Sequence, residues 1–262
     1  MKEKIVEISS LRALRNLTRA ISARSYGSPG IGVVSGEVGR GKTCATQFVC
    51  LAEDGIWITA HPESSPNWLY GDIAVELGAA RRATTRENFS NAVGALKARP
   101  RAIFIDESDF LVSGTPRLQK VESLRALHDA TQAPLILIGM SQLPRAIRAL
   151  PQLERRVAQR LEFQPCDLRD TRLMADELLE IELSDELVRE IHRATAGSAN
   201  SIHIALERLE NLARRRVKRK LHLSDVPEDF ALVPEARKTH REPARADSSN
   251  VVSLRPSEGA NA

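Results

Sequence analysis

Eight consecutive residues, Gly36-Glu37-Val38-Gly39-Arg40-Gly41-Lys42-Thr43, restrict what this chain can fold into more than any other segment. They fit G-x-x-x-x-G-K-[ST], a loop whose glycines let successive backbone N–H groups turn inward around a phosphate. Such a loop works between a buried parallel strand and the first turn of a helix, whose N-terminal end favours the same anion. Both neighbours are legible. Ile31-Gly32-Val33-Val34 is a short apolar run, and residues 42–52 (KTCATQFVCLA) carry apolar side chains at helical spacing. Residues Gly36, Glu37, Val38, Gly39, Arg40, Gly41, Lys42, Thr43 and Cys44 are expected to wrap the phosphates of ATP. The Lys42 ammonium would lie on the β- and γ-phosphates, and the Thr43 hydroxyl would be a ligand of Mg²⁺.

Binding a triphosphate does not hydrolyse it, so carboxylates must be found elsewhere. The apolar run Ile103-Phe104-Ile105 ends in Asp106-Glu107. A buried strand rarely ends in paired acids without reason, because unpaired charge there is costly. Asp106 is placed to hold Mg²⁺ through water, and Glu107 to orient or deprotonate the attacking water. A further apolar strand, Pro134 to Gly139, runs into Met140-Ser141-Gln142. Ser141, with Gln142 as the alternative, can reach the attacking water or the γ-phosphate; either residue can equally cap a helix at 143–149. The stretch PQLERRVAQRLEF reads as helical, which puts Arg156 and Arg160 on one face at i, i+4 spacing. Such guanidinium groups either stabilise a phosphoryl group held by a neighbouring subunit or pair with Glu154 and Glu162 on the surface.

Further strands and helices alternate. Helices are expected at 9–23, from 64–66 to about 77, at 86–97 and from about 116 to 130, with a strand at 55–60. This alternation implies a parallel sheet with helices on both faces. After Pro165 only helical patterns remain, at 168–180, 184–195 and 200–216. From residue 233 the composition turns to Pro, Ala, Ser, Asn, Arg and Glu, as in disordered segments. The expected organisation is an α/β P-loop NTPase domain over residues 1–165, a small all-helical lid domain over 166–232, and a disordered tail over 233–262.

At 42% hydrophobic and 27% charged, the chain has the composition of a soluble globular protein. No apolar run is long enough to span a membrane and the N-terminus lacks a signal peptide's apolar core, so a cytoplasmic location without a membrane partner is expected. Cys44, Cys50 and Cys166 form no C-x-x-C pair, and reduced, mostly buried thiols are expected. The net charge of +4 is modest, but Arg214, Arg215, Arg216, Lys218, Arg219 and Lys220 place six cations in seven residues. Such a run is either a solvated helix end or a contact for nucleic-acid phosphates. Aromatic residues are only 4%, so binding to the backbone of duplex DNA is favoured over single-strand stacking.

A glycine phosphate loop, an acid-tipped strand, a polar-tipped strand, an arginine segment and a helical lid, in that order, resemble an AAA+ ATPase. Leu124 to Thr131 leading into Pro134–Gly139, and Leu153 to Pro165, resemble the transposition-regulating branch typified by the phage Mu B protein. Gly197-Ser198-Ala199-Asn200 resembles the sensor 2 region of these proteins, with Asn200 where many lids carry an arginine. The resemblance implies a slow ATPase that assembles on duplex DNA as a helical filament or ring of identical subunits and acts on a transposase. It places catalytic arginines at Arg156 and Arg160 and a weak γ-phosphate contact at Asn200. Members of that type carry an N-terminal helix-turn-helix domain that this sequence does not show, so DNA contacts are expected from the core, lid or tail. A phage-encoded member would work in the host cytoplasm. A helicase-loader or secretion-type AAA+ ATPase, or a signalling ATPase that binds no nucleic acid, remain the alternatives on the same residues.

Overall fold

A computed structural model describes residues 1–112 and 117–233. Residues 234–262 of the expected tail, and Pro116 at the expected start of a helix, lie outside the described residues.

The first helix, α1 (Ser9–Ser22), buries Leu11, Leu14, Leu17 and Ile21 along one stripe. The chain then enters β1 (Ile31–Ser35), the phosphate loop and α2 (Lys42–Ala52). Next come β2 (Ile56–Thr59), α3 (Pro66–Glu76) with Ser65 as its cap, and α4 (Thr85–Ala98). Thr84 and Glu87 form a reciprocal capping box at the start of α4. Then follow β3 (Ile103–Asp106), the short α5 (Asp109–Val112), α6 (Arg117–Thr131) and β4 (Leu135–Ile138). Two short helices, α7 (Leu143–Arg148) and α8 (Pro151–Glu154), lead into β5 (Val157–Glu162).

The five strands form one parallel sheet in the order β2-β3-β4-β1-β5. Strand residues alternate between faces, and both faces are covered, which is why the central strands read as continuous apolar runs. Val34, Phe104, Ile136 and Ile138 pack toward α1, α2 and the C-terminal helices. Val33, Ile103, Ile105, Leu135 and Leu137 pack in the opposite cluster, with side chains of α3, α4, α6 and α7. The carboxyl ends of β1, β3 and β4 thus lie side by side, and this edge is where open α/β sheets hold ligands.

The helical reading of residues 151–163 holds for α8, and the fifth strand corrects it from Val157 onward. Residues 157–162 pair with β1, from Val157 opposite Ile31 to Glu162 opposite Ser35. β5 is an edge strand with half-buried Val157 and Leu161, and its outward residues Ala158, Gln159 and Arg160 are exposed. Its sparse apolar content therefore mimicked an amphipathic helix.

Beyond Phe163 the chain forms α9 (Leu168–Leu178), a two-residue strand β6 (Glu182–Leu183), α10 (Asp185–Thr195), α11 (Ala199–Arg215) and a second two-residue strand β7 (Lys220–Leu221). The parallel β6–β7 pair ties the end of α11 to the start of α10, a link too short to leave a sequence pattern. Leu187, Ile191, Ile202, Leu206 and Leu209 are fully buried and continuous with the cluster that covers α1 and α2. Among the described residues, no helix is long and apolar enough to cross a membrane. Cys50 and Cys166 are buried, and burial raises the pKa of both thiols to about 11; Cys44 is exposed, so the thiols are mostly buried as expected.

His128, near the end of α6, is 2% exposed, and its Nδ1 lies 3.0 Å from the Ala133 carbonyl oxygen. Burial, followed by the nearby Arg24 and Arg156 cations, pushes its pKa below the usual histidine value, against the Ala133 carbonyl and Asp129. The folded state therefore binds fewer protons here than the unfolded chain, and the stability this confers is present above about pH 6.5 and is lost as pH falls toward the lowered folded value. Urea unfolding at pH 7.5 and 5.5 should show lower stability at 5.5, and His128→Gln should narrow that difference.

Candidate functional site

The phosphate loop is set by its two flanking elements. β1 is fully buried and delivers Gly36; α2 begins at Lys42 with Gly41 as its N-cap. Gly39 and Gly41 have φ of 80° and 79°, left-handed angles that an ordinary side chain would strain. The first N–H groups of α2 have no intrahelical acceptor and are available to an anion. Lys42 Nζ donates to the carbonyl oxygens of Gly36 and Glu37, both at 2.7 Å. The ammonium is thus held inside the loop where a phosphate would lie. Burial lowers the Lys42 pKa, opposed by Asp106, Glu107 and Asp109.

β3 brings Asp106 to this loop. Asp106 is 7% exposed, and its Oδ2 accepts from the Thr43 hydroxyl at 3.2 Å. A hydroxyl and a carboxylate oxygen at one point are the hard donors Mg²⁺ takes from protein, with phosphate oxygens and water completing its shell. The residues therefore fit the ion. Glu107 follows in a left-handed conformation with φ of 53°, and its N–H donates to Asp106 Oδ1 at 2.9 Å. That backbone geometry costs roughly 1–2 kcal/mol for a residue with a Cβ. It turns the Glu107 side chain into a cleft of about 270 Å³ shared with Lys42, Thr43 and Asp106.

The tip of β4 is positioned by a residue that sequence reasoning missed. Asp109 Oδ2 accepts the Met140 N–H at 2.7 Å. A Cβ on Gly139 would lie 2.2 Å from the same oxygen, so only glycine admits the carboxylate. Burial raises the Asp109 pKa, and the Met140 amide opposes the rise. The available signal was a third acid two residues after Glu107. Gly139 and Met140 line the cleft. Ser141 and Gln142 are exposed beyond it and are not among its lining residues, so the tip reaches the cleft through backbone and Met140.

A second cavity, of about 340 Å³, adjoins the first and shares Gly41, Cys44 and Asn200 with it. Its walls are mostly apolar, with Val6 and Ile8 from the N-terminal segment, Leu11 from α1, Ala45 from α2, and Met174 and Leu178 from α9; Lys4 and His203 also line it. The N-terminal segment is held by α9. The Lys2 N–H donates to the Leu178 carbonyl at 2.7 Å, and the Ser9 N–H donates to Asp170 Oδ1 at 2.9 Å. The start of α11 also touches the loop directly: the Ser198 hydroxyl and the Asn200 N–H each lie 3.3 Å from the Gly39 carbonyl oxygen. Asn200 is exposed at the mouth of both cavities. Residues 1–8 gave no functional signal in the sequence, because their partners lie some 170 residues away.

The arginines are elsewhere. Arg156 sits immediately before β5, far from the loop end of the sheet, and grips Asp129 with Nε and Nη2, both at 2.6 Å. Arg160 pairs with Glu154. Arg155, immediately before Arg156, is exposed and has no ion pair among the described residues. In the basic run, Arg214 pairs with Glu180 and Glu210, Lys218 with Asp225, and Lys220 with Glu182. The Arg216 guanidinium donates to the Asp225 carbonyl; Arg215 and Arg219 carry no ion pair among the described residues.

The sheet order, the flanking helices and the loop define a P-loop NTPase fold of the AAA type. Residues 24–147 match the family described as an AAA domain. The fold resembles the Aeropyrum pernix ORC1 protein solved in complex with DNA, at 18% identity and a TM-score of 0.59, over 86% of this chain and 64% of that one. It resembles the ORC2 protein of the same organism, solved as ADPNP-ADP complexes, at 18% identity and a TM-score of 0.65, over 84% of this chain and 68% of the other. It also resembles a signal transduction ATPase with numerous domains from Pyrococcus horikoshii, at 15% identity and a TM-score of 0.52, over 78% of this chain and 30% of that protein. The chain thus spans just under two thirds of the ORC1 protein's length. No curated protein matches the sequence.

Two substitutions separate ligand binding from folding. Thr43→Val should abolish the gain in ATP affinity that Mg²⁺ provides, by about tenfold or more, while thermal unfolding stays near wild type; calorimetric titration with and without Mg²⁺ reads this. Asp109→Ala leaves the Met140 N–H without its acceptor and should lower unfolding free energy by about 1–3 kcal/mol in urea titrations.

Proposed function

We propose that this chain is a Mg²⁺-dependent ATPase that binds duplex DNA without sequence preference in its ATP state, oligomerises there, and regulates transposition. The observation that carries the reading is the union of two cavities. A phosphate loop with Thr43, Asp106 and Glu107 at one end adjoins an apolar base-sized cavity at the other. No Asp or Glu lines the apolar cavity. The apolar residues suit the flat faces of a nucleobase, and Lys4 and His203 add polar side chains to the lining.

The chemistry follows from the residues. Lys42 would leave its two carbonyl acceptors for the phosphates, and Thr43 and Asp106 would hold Mg²⁺, whose charge would offset the charge that develops on the transferring group. Glu107 orients the attacking water from its strained backbone. The remaining positive charge comes from a neighbouring subunit, through Arg156 or Arg160 once released from Asp129 or Glu154, or through the adjacent unpaired Arg155. The basic run at the end of α11 supplies the phosphate contacts. The ORC1 protein solved with DNA, which shares this fold, supports a nucleic-acid role. The transposition reading rests on the Leu124–Thr131 and Leu153–Pro165 segments. A signalling ATPase without DNA is the second reading, favoured by the likeness to the Pyrococcus signal transduction ATPase.

Fluorescence anisotropy with a random-sequence duplex separates the two. Binding should need ATP or a non-hydrolysable analogue, weaken steeply with salt, and fall at least tenfold in Lys42→Ala. Glu107→Gln should still bind DNA while losing about a hundredfold in turnover. Tight binding indifferent to nucleotide, or no duplex binding at low salt, would reject the DNA reading; failure to stimulate strand transfer by a transposase would reject the transposition role.

A further inference from the structure

The helix that touches the phosphate loop at one end carries an unusual turn at the other. α11 closes with Arg216 as its C-cap, followed by Val217 with φ of 54° and Lys218. The Val217 N–H donates to the Arg214 carbonyl at 3.2 Å, and the Lys218 N–H to the Ala213 carbonyl at 3.0 Å. This paired pattern ends helices through a left-handed residue, and glycine is the residue suited to it. A β-branched side chain at that position is a true conformational outlier. Val217 is also 92% exposed. It is therefore placed badly both for its own backbone and for its contact with water.

Its surroundings are cationic. Arg215, Arg216, Lys218 and Arg219 flank it, all exposed. Asp225 holds Lys218 and Arg216, which fixes the base of the turn. Arg215 and Arg219, one on each side of the apex, have no ion pair among the described residues.

We propose that this turn is the duplex-DNA contact of the protein, with Val217 seated in the minor groove and Arg215 and Arg219 on the phosphates at either side. The inference rests on the DNA-binding reading above and names the element that carries it. Apolar side chains at the tips of basic elements enter the minor groove of architectural DNA-binding proteins, where contacts are largely insensitive to sequence. The cations match the phosphates, and one valine offers too little apolar area to anchor the chain to a lipid surface. The position of the turn also accounts for control by nucleotide. α11 has 17 residues and its first turn lies on Gly39, so a lid shift caused by the phosphates moves the turn at the far end of one rigid helix, about 25 Å away.

The test uses the full chain with a non-hydrolysable ATP analogue and a labelled duplex across a salt series. Val217→Gly should weaken binding by about tenfold with an unchanged salt slope. Its unfolding midpoint should be equal to wild type or higher, since glycine relieves the left-handed position. Arg215→Ala combined with Arg219→Ala should reduce the slope of log K against log salt by about 2. Wild-type affinity in Val217→Gly, or an unchanged slope in the double variant, overturns the inference while leaving DNA binding intact. No duplex binding by the wild type overturns the underlying reading instead. Binding of the wild type to phosphatidylserine vesicles that Val217→Gly loses, with no effect on DNA, assigns the turn to a membrane and also overturns it.

Discussion

The contact between the first turn of α11 and the phosphate loop is the constraint on which the rest of the site depends. Gly39 and Gly41 are left-handed and have no side chains, so Ser198 Oγ and Ala199 Cβ approach within 3.1 and 3.4 Å of where their Cβ atoms would stand. Larger residues at 39 or 41 would strain the loop and push the lid away together. The glycines therefore serve two ends: they turn the loop's N–H groups inward, and they admit the helix that closes the second cavity. The N-terminal segment completes this closure by resting on α9, so three parts of the chain distant in sequence meet around one volume.

Around this contact the structure spends stability at defined points. Glu107 sits in a disfavoured backbone region, Asp109 is half-buried with its pKa raised, and Lys42 is held on carbonyl groups under partial burial. Strain of this kind persists where surrounding structure over-determines it, and it clusters at working sites. Here the surrounding structure is identifiable: β3 is buried along its whole length, and the Asp109–Met140 bond locks the tip of β4 to the segment after β3. Val217 shows the same signature at a distance from the site, which is why it attracts a functional account.

How much was legible in the sequence follows from how local each requirement is. The phosphate loop was legible because a phosphate dictates glycines and a lysine at fixed spacing. The strand ending in Asp106 was legible because burial on both faces demands an unbroken apolar run. β5 was misread because an edge strand needs few apolar residues, and the run of arginines imposed a false helical period. The pairing of Arg156 with Asp129 could not be read, since it joins α6 to β5 across the fold. The apolar cavity was invisible for the same reason, as Val6 and Ile8 acquire meaning only against Met174 and Leu178. Asp109 was open to detection, but the neighbouring Asp106 and Glu107 already satisfied the expected chemistry. Ser141 was chosen for its polarity, while the backbone in fact presents Gly139 and Met140 to the cleft.

The phosphate loop, the start of α11 and the N-terminal segment line two adjoining cavities, proposed above as a single ATP site. Hydrogen exchange of the protein with and without Mg²⁺-ATP tests it most directly. The account predicts that residues 36–44, 198–203 and 4–11 gain protection together, with the same dependence on ATP concentration. Protection confined to 36–44, with the lid and N-terminal segment unchanged, would contradict it.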